Sequence, residues 1–237
     1  MKTLSSTLAI VFLSVLFSLY AGEVYLQYFV DRTPVETKSR PDRDGRHAVE
    51  VVDDLRKQGK PAFPVLNFRA DVMNRDKDDA FHSLFSENGR ELLPLGNVAN
   101  ALTVFCNENG VWETYVSDRF GFNNPDAVWE GKPASVLALG DSFTHGVCPP
   151  PGQHMVDLIR NAYPPTVNLG RMGTGPFYQL ATFKEYGPAL RPRIVLWFFM
   201  EDNDIVGDMH DEVLSPLLRR YAEEPGFSQS LISRQAA

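Results

Sequence analysis

The stretch VLALGDSFTHG, residues 136–146, determines how the C-terminal half of the chain is interpreted. Residues 136–139 are all apolar, which predicts a β-strand buried on both faces. Gly140 and Asp141 end this strand, and Ser142 follows directly. A serine at the end of a strand is commonly a helix N-cap, and it is also a position from which an α/β enzyme can present a nucleophile.

Strands and helices alternate from Ala134 onwards. A strand over 135–140 precedes a helix with one apolar face, formed by Met155, Leu158, Ile159 and Ala162. The strand TVNLG (166–170) and a helix from Pro176 to about Gly187 follow, and then the apolar strand RIVLWFFM (193–200). This alternation predicts an α/β fold with a parallel sheet and right-handed crossovers.

Three polar motifs come at the predicted carboxyl ends of these strands. We name them the serine motif (GDSFTHG, 140–146), the glycine motif (NLGRMGTG, 168–175) and the asparagine motif (EDND, 201–204). The carboxyl ends of parallel strands meet at one edge of a sheet, and ligands bind there in open α/β folds. We therefore expect the three motifs to converge on one site.

The order and spacing of these motifs resemble those of the SGNH, or GDSL-type, esterase and lipase family. The resemblance implies a flavodoxin-like three-layer α/β/α domain in which Ser142 attacks an ester carbonyl. It also implies an oxyanion hole formed with the backbone N–H of Gly173, or of Gly170 as the alternative, and the side-chain amide of Asn203. Glu201 and Asp202 replace the glycine that the family has before its asparagine. Two carboxylates beside an anion are unfavourable unless they point away.

The catalytic base is the part of the family pattern that this sequence lacks. The family places an Asp-x-x-His pair after its last strand, and no such pair follows the asparagine motif. A flavodoxin-like sheet has about five strands, and three are readable after residue 134. We therefore expect a C-terminally incomplete domain, closed by a polar helical segment, 217–237. Five histidines remain as candidate bases, namely His47, His82, His145, His154 and His210.

Three of these histidines have competing interpretations. Asp79 and His82 spell Asp-x-x-His but precede the serine, and a match of two letters is expected by chance. His145 is expected to be a polar surface residue. His210, between Asp208 and Asp211, follows the asparagine motif on the active edge and is the best substitute within the chain, although it is expected to face solvent.

The N-terminus contains a segment long enough to cross a bilayer. About twenty uncharged residues follow Lys2, and tyrosines cluster near their end. A signal peptidase prefers small residues at positions −3 and −1, and neither Leu19 nor Tyr20 suits cleavage after Ala21 or Gly22. An uncleaved anchor over residues 1–30 is therefore favoured over a signal peptide. Lys2 then stays in the cytoplasm, and the rest lies outside, in the periplasm or at the cell surface.

Residues 31–131 are predicted to form a mixed α+β module between the anchor and the α/β domain at 132–237. Its first part, 31–46, is a charged linker. Ala48, Val51, Val52 and Leu55 have helical spacing before a stop at Gly59, and residues 101–118 predict two strands about the turn NENG. Residues 60–98 show no clear period. Export makes a disulfide between Cys106 and Cys148 and two free thiols equally open alternatives.

Composition limits the partners. A net charge of −7 disfavours nucleic acid as a partner. Acyl transfer through serine needs no metal or organic cofactor, so none is expected. The sequence thus predicts a membrane-anchored, extracytoplasmic esterase acting on an ester substrate, with O-acetyl esters of surface polysaccharide as candidates. The alternatives are a polysaccharide O-acyltransferase and a non-catalytic glycan-binding protein. The oligomeric state is left open.

Overall fold

The structure, a computed structural model, describes residues 2–28, 43–130 and 133–235. The chain divides into two compact units, Met1–Pro41 and Asp42–Ala237. Most of the predicted linker, residues 31–42, lies outside the described residues, as does the 131–132 boundary.

The first unit contains helix α1 (Lys2–Tyr28). Within it, Thr7–Tyr25 has a mean hydropathy of 1.9, and none of this segment is buried. Nineteen helical residues span about 28 Å, which is close to the thickness of the hydrocarbon core of a bilayer. By length and composition, α1 is suited to be a membrane anchor or a signal sequence.

The first part of the second unit is a set of short elements. It contains helix α2 (Ala48–Lys57) and the strands β1 (Ala62–Pro64), β2 (Met73–Arg75), β3 (Phe81–Ser83), β4 (Phe85–Glu87), β5 (Arg90–Leu92), β6 (Leu102–Cys106) and β7 (Glu113–Val116). β1 pairs in parallel with β6, and β6 and β7 form the predicted hairpin. β2 pairs with β3 and β4 with β5, both antiparallel. The apolar face predicted for α2 is confirmed, since Val51 and Val52 are buried.

The second part contains the predicted parallel sheet. Its elements are β8 (Val136–Leu139), α3 (Ser142–His145), α4 (Met155–Ala162), β9 (Thr166–Asn168), α5 (Pro176–Leu190), β10 (Ile194–Trp197), α6 (Glu201–Asn203), α7 (Met209–Glu212), α8 (Pro216–Glu223) and α9 (Leu231–Gln235). The strand order is β10-β8-β9, with both pairings parallel. All four residues of β8 are buried, as an apolar central strand should be.

One hydrophobic core joins the two parts. Phe68, Leu93 and Trp129 pack in the same cluster as Leu137 and Tyr178. The boundary predicted at residues 131/132 therefore lies within one compact unit. The predicted module does pack onto the α/β region.

A disulfide between Cys106 and Cys148 ties β6 to the loop after α3. The two Cα atoms are 5.3 Å apart and the cysteines are 42 residues apart in sequence. Closing a loop of this size restricts the unfolded chain, which stabilises the fold by about 4 kcal/mol. The structure thus adopts the bonded alternative of the two that the sequence left open.

The face predicted for α4 and the polarity predicted for the closing segment are both wrong. In α4, Val156 is buried, whereas Leu158 of the predicted face is 58% exposed. The closing segment is helical as predicted, but it is not simply polar, because Leu217, Leu218 and Leu231 enter the main core. α8 packs against α5.

Candidate functional site

Ser142 lies where strand β8 gives way to helix α3. Asp141 is the N-cap, and its Oδ1 accepts a hydrogen bond from the backbone N–H of Phe143 at 3.0 Å. Ser142 is half-buried. In the part of the chain that the structure describes, neither its hydroxyl nor its backbone N–H has a hydrogen-bond partner. Among the described residues, the hydroxyl and the backbone N–H of Ser142 are therefore both free to contact a ligand.

The asparagine motif meets the serine motif through a direct hydrogen bond. Asn203, the last residue of α6, donates from Nδ2 to Oδ2 of Asp141 at 3.0 Å. A primary amide has two N–H hydrogens, so the second remains for a ligand. Asn203 Oδ1 is buried without a partner among the described residues. The structure thus brings the third predicted site residue next to the residue before Ser142.

The carboxylates that replace the family's glycine do not crowd this site. Glu201 and Asp202 are both exposed. Asp204 instead turns inward, where its Oδ2 accepts from Met200 N at 2.7 Å. Burial raises the pKa of Asp204, and the nearby Asp141 carboxylate raises it further. The unfavourable interaction expected from Glu201 and Asp202 is therefore reduced by solvent.

The glycine motif is bonded to the serine motif at several points. Arg171 N donates to Gly140 O at 3.2 Å, and Met172 N donates to His145 Nδ1 at 3.2 Å. A Cβ placed on Gly170 would lie 2.5 Å from the backbone N of His145. Gly170 is thus required for the close approach of the two segments. Its own N–H is already bonded to Asn168 Oδ1 at 2.8 Å, so Gly170 is not a free oxyanion donor.

Gly173, the predicted oxyanion residue, has a free backbone N–H among the described residues. Its φ is +75°, in the left-handed region that favours glycine. A Cβ there would lie 2.8 Å from Nδ2 of Asn67. Asn67 is held in place because its Oδ1 accepts a hydrogen bond from Ala70 N at 3.1 Å. Its Nδ2 has no acceptor within the described ranges, so this donor is free. Sequence reasoning missed Asn67, which lies in the stretch 60–98 that has no readable period.

Arg171, between the two glycines, is a buried cation that pairs with no carboxylate of the described residues. It is 1% exposed. Its Nη1 donates to Pro94 O at 3.0 Å, and its guanidinium lies over the rings of Phe68 and Tyr178. Nε and Nη2 have no partner among the described residues. These contacts anchor the glycine motif to the first part of the unit.

His145 is not the polar surface residue that we predicted. It is fully buried, and its Nε2 lies 2.8 Å from the hydroxyl of Tyr115. Because Met172 N donates to Nδ1, the ring proton is on Nε2 and is donated to Tyr115. Burial lowers the pKa of His145 to about 3. Both ring nitrogens are therefore engaged in holding the site together, and His145 is not available to Ser142.

Two of the other histidines, His82 and His154, have partners away from Ser142. His82 lies between Asp76 (3.3 Å) and Glu91 (3.4 Å). Asp79 pairs instead with Arg75, so the Asp-x-x-His string at 79–82 does not form a pair. His154 is buried with Asp157. His210 is exposed on α7, as expected.

Glu212 links helix α7 to the start of helix α5. Its carboxylate accepts from Gly175 N at 2.6 Å, Phe177 N at 2.9 Å and Tyr178 N at 3.2 Å. Burial nevertheless raises the pKa of Glu212 to about 8, and the Asp208 carboxylate adds to this effect. Glu212 therefore holds the start of α5 through three hydrogen bonds, and its burial opposes the charged form that these donors favour.

We expect opposing pH effects from His145 and Glu212. Because the folded pKa of His145 is lowered, its contribution to stability is present above pH 6.5 and is lost as the pH falls towards 3. Because the folded pKa of Glu212 is raised from 4.5, its contribution is present below pH 4.5 and is lost as the pH rises through 8. Urea unfolding between pH 4 and 9 should show maximum stability at about pH 5–6. Glu212→Gln should flatten the alkaline limb.

The control for this prediction is Glu108→Gln, at an exposed position. It should leave both limbs of the profile unchanged. Equal alkaline slopes for Glu212→Gln and the parent chain would contradict the assignment to Glu212.

The metal ligands that lie close together in the described part of the chain are Cys106, Glu108 and Cys148, and the disulfide consumes both sulfur atoms.

Comparison of the chain with protein-family models, curated proteins and solved structures finds no match. The interpretation of the site therefore depends on its own geometry.

Proposed function

We propose that this protein is a membrane-anchored serine esterase of the SGNH type with a flavodoxin-like α/β/α domain. The observation that carries the proposal is that the other two motifs both bond to the segment that contains Ser142. Asn203 bonds to Asp141, and the glycine motif bonds to Gly140 and His145. Asp141, not Ser142, is the N-cap of α3, so helix capping does not account for the position of Ser142.

The free donors around Ser142 support acyl transfer. In the proposed reaction, Oγ of Ser142 bonds to the ester carbonyl carbon while its proton passes to a base. The carbonyl oxygen, now negative, accepts from the N–H groups of Ser142 and Gly173 and from Nδ2 of Asn203. The alcohol leaves with a proton, and water then releases the acid from the acyl-enzyme. In the same proposal, the Asn67 amide, which lies beside Gly173, is a fourth donor to this oxygen.

The base that we assign in this proposal is His210. It lies on α7, seven residues after Asn203, and its exposed ring is free to reach a substrate-filled site. Arg69 bonds to Asp211 at 2.9 Å and lies 3.5 Å from Asp208, which holds the residues on either side of His210 in place. Catalysis by this residue requires it to approach Ser142 when substrate binds.

The substrate and the location follow from the anchor. With α1 in the membrane and Lys2 in the cytoplasm, the second unit lies outside the cytoplasm. The Cys106–Cys148 disulfide supports an oxidising compartment. Esters abundant there include O-acetyl groups on surface polysaccharide, which we propose as the substrate class.

A fluorophosphonate probe tests whether Ser142 is a nucleophile. The serine oxygen bonds to phosphorus and fluoride leaves, so intact-mass spectrometry detects one added phosphonyl group. We expect one group per chain, mapped to Ser142 after proteolysis. Labelling of Ser142→Ala to the same extent would reject the proposal.

A non-catalytic glycan-binding protein is the second candidate function. The observation in its favour is that none of the five histidines hydrogen-bonds to Ser142. Two results together would favour this function. The probe would leave the parent chain unlabelled, and the parent chain and the Ser142→Ala variant would bind O-acetylated polysaccharide equally well. An acyltransferase is distinguished from an esterase by product analysis with an added polysaccharide acceptor.

A further inference from the structure

The buried positive charge of the glycine motif is only partly satisfied by its contacts. Arg171 uses Nη1 to donate to Pro94 O at 3.0 Å and to the Tyr178 hydroxyl at 3.3 Å. Its Nε and Nη2 are buried without a partner among the described residues. A buried cation that leaves donors unsatisfied costs free energy of folding. The hydrogen bonds of Arg171 therefore do not by themselves explain why a charged residue lies here.

Packing does not explain the charge either. The guanidinium lies 5.4 Å from the centroid of the Phe68 ring and 5.7 Å from the centroid of the Tyr178 ring. A methionine side chain packs favourably against aromatic rings and needs no hydrogen-bond acceptor. Even buried ion pairs, in which the charge is compensated, are often replaced by apolar side chains without loss of stability. An uncharged side chain at position 171 would therefore fill this space at least as well.

The site around Ser142 contains several buried carboxyl groups. Asp141, Asp204 and Asp208 are all buried. Arg69 is already paired with Asp208 at 3.5 Å. A negative oxygen that forms beside Ser142 is repelled by the carboxylates near it. A cation that has no carboxylate partner of its own offsets this repulsion.

The guanidinium of Arg171 lies near the residues that were assigned to the oxyanion. Arg171 precedes Gly173 by two residues, and its backbone N–H donates to Gly140 O at 3.2 Å. Its guanidinium covers the ring of Phe68, which directly follows Asn67, and the Asn67 amide lies beside Gly173. The guanidinium is therefore about 10 Å from the Gly173 N–H.

The electrostatic effect of Arg171 extends to the serine motif. Burial is the main reason that the pKa of His145 is lowered to about 3, and the positive charge of Arg171 lowers this pKa further. His145 lies in α3, three residues after Ser142. Water and salt weaken the interaction between buried charges much less than between exposed ones.

We propose that the positive charge of Arg171 stabilises the negative oxygen that forms at the Gly173 N–H during acyl transfer. This inference rests on the proposed esterase function. Because its guanidinium is buried, Arg171 acts without touching the substrate and is a positioning residue. At about 10 Å and an effective dielectric constant of about 20, removal of one charge should slow acylation of Ser142 about tenfold.

Two variants test this inference in the full chain in detergent, with the fluorophosphonate probe. During labelling, Ser142 Oγ bonds to phosphorus, its proton passes to the base and fluoride leaves, while negative charge grows on the phosphoryl oxygen. Arg171→Met should be labelled about tenfold more slowly than the parent chain, yet unfold at the same urea concentration or a higher one. Arg171→Lys keeps the charge and should be labelled within about threefold of the parent rate.

Arg56→Met is the matched control. Arg56 also lies over an aromatic ring, 4.8 Å from the centroid of Phe63, and also donates to a backbone carbonyl, Ala62 O, at 2.8 Å. It belongs to α2, outside the three motifs. This variant should be labelled at the parent rate.

The outcomes separate this inference from the proposed function. If the parent chain is labelled at Ser142 and Arg171→Met is labelled equally fast, the esterase proposal stands and the role of Arg171 is overturned. The role is also overturned if Arg171→Met is less stable than the parent chain, or if Arg171→Lys is as slow as Arg171→Met, because Arg171 is then a structural contact. A parent chain that the probe does not label overturns both proposals.

Discussion

Ser142→Ala is expected to lower the rate of 4-nitrophenyl acetate hydrolysis by at least about 10³-fold. Removing the nucleophile of an acyl-transfer enzyme eliminates the covalent route and leaves the residual effect of binding and of the oxyanion donors. Because the Ser142 hydroxyl has no hydrogen bond to another described residue, its removal should change the free energy of unfolding by less than about 0.5 kcal/mol. Initial rates and urea unfolding measure the two effects separately.

Ser135→Ala is the matched control. Ser135 precedes the same strand, β8, at the end opposite to Ser142, and its hydroxyl donates to Pro164 O at 2.7 Å. This variant should retain the parent rate. If Ser142→Ala also hydrolyses the ester at the parent rate while remaining folded, Ser142 is not the nucleophile and the non-catalytic alternative is preferred.

The sequence predicted the parallel sheet and the convergence of the three motifs because these depend on local patterns. The short apolar run at 136–139, ended by Gly140, is typical of a buried strand, and the turn residues after β8 and β9 place their motifs at one edge. The hairpin of β6 and β7 was equally readable from its turn. In contrast, β1 to β5 are each three residues long, which is too short to show a period.

The details of the site were less predictable because they depend on distant residues. The burial of His145 is stabilised by Tyr115, which is 30 residues away in sequence. The contact of Asn67 with Gly173 crosses between the two parts of the core. The exposed face of α4 was mispredicted because helical spacing shows that a face is apolar, but not which face the sheet covers.

Gly170→Ala is expected to disrupt the site and the fold together. Its Cβ would lie 2.5 Å from His145 N and 2.6 Å from the carbonyl carbon of Thr144. These are backbone atoms of α3, and Thr144 O also accepts from Asn168 Nδ2 at 2.8 Å, so they cannot move aside. Overpacking at such a contact should lower the free energy of unfolding by about 3 kcal/mol. Displacement of α3 should also misplace Ser142 and lower the proposed esterase activity about 10²-fold in the protein that remains folded.

Gly207→Ala separates this steric effect from a general effect of adding a methyl group. A Cβ at Gly207 would meet no atom within 4 Å, although this residue also lies close to the asparagine motif. Because alanine favours helical structure, Gly207→Ala should leave stability unchanged or raise it by less than about 1 kcal/mol. If Gly170→Ala were as stable and as active as Gly207→Ala, then the glycine motif would not pack on α3. The bonds from Arg171 to Gly140 and from Met172 to His145 would then no longer support a shared site with Ser142.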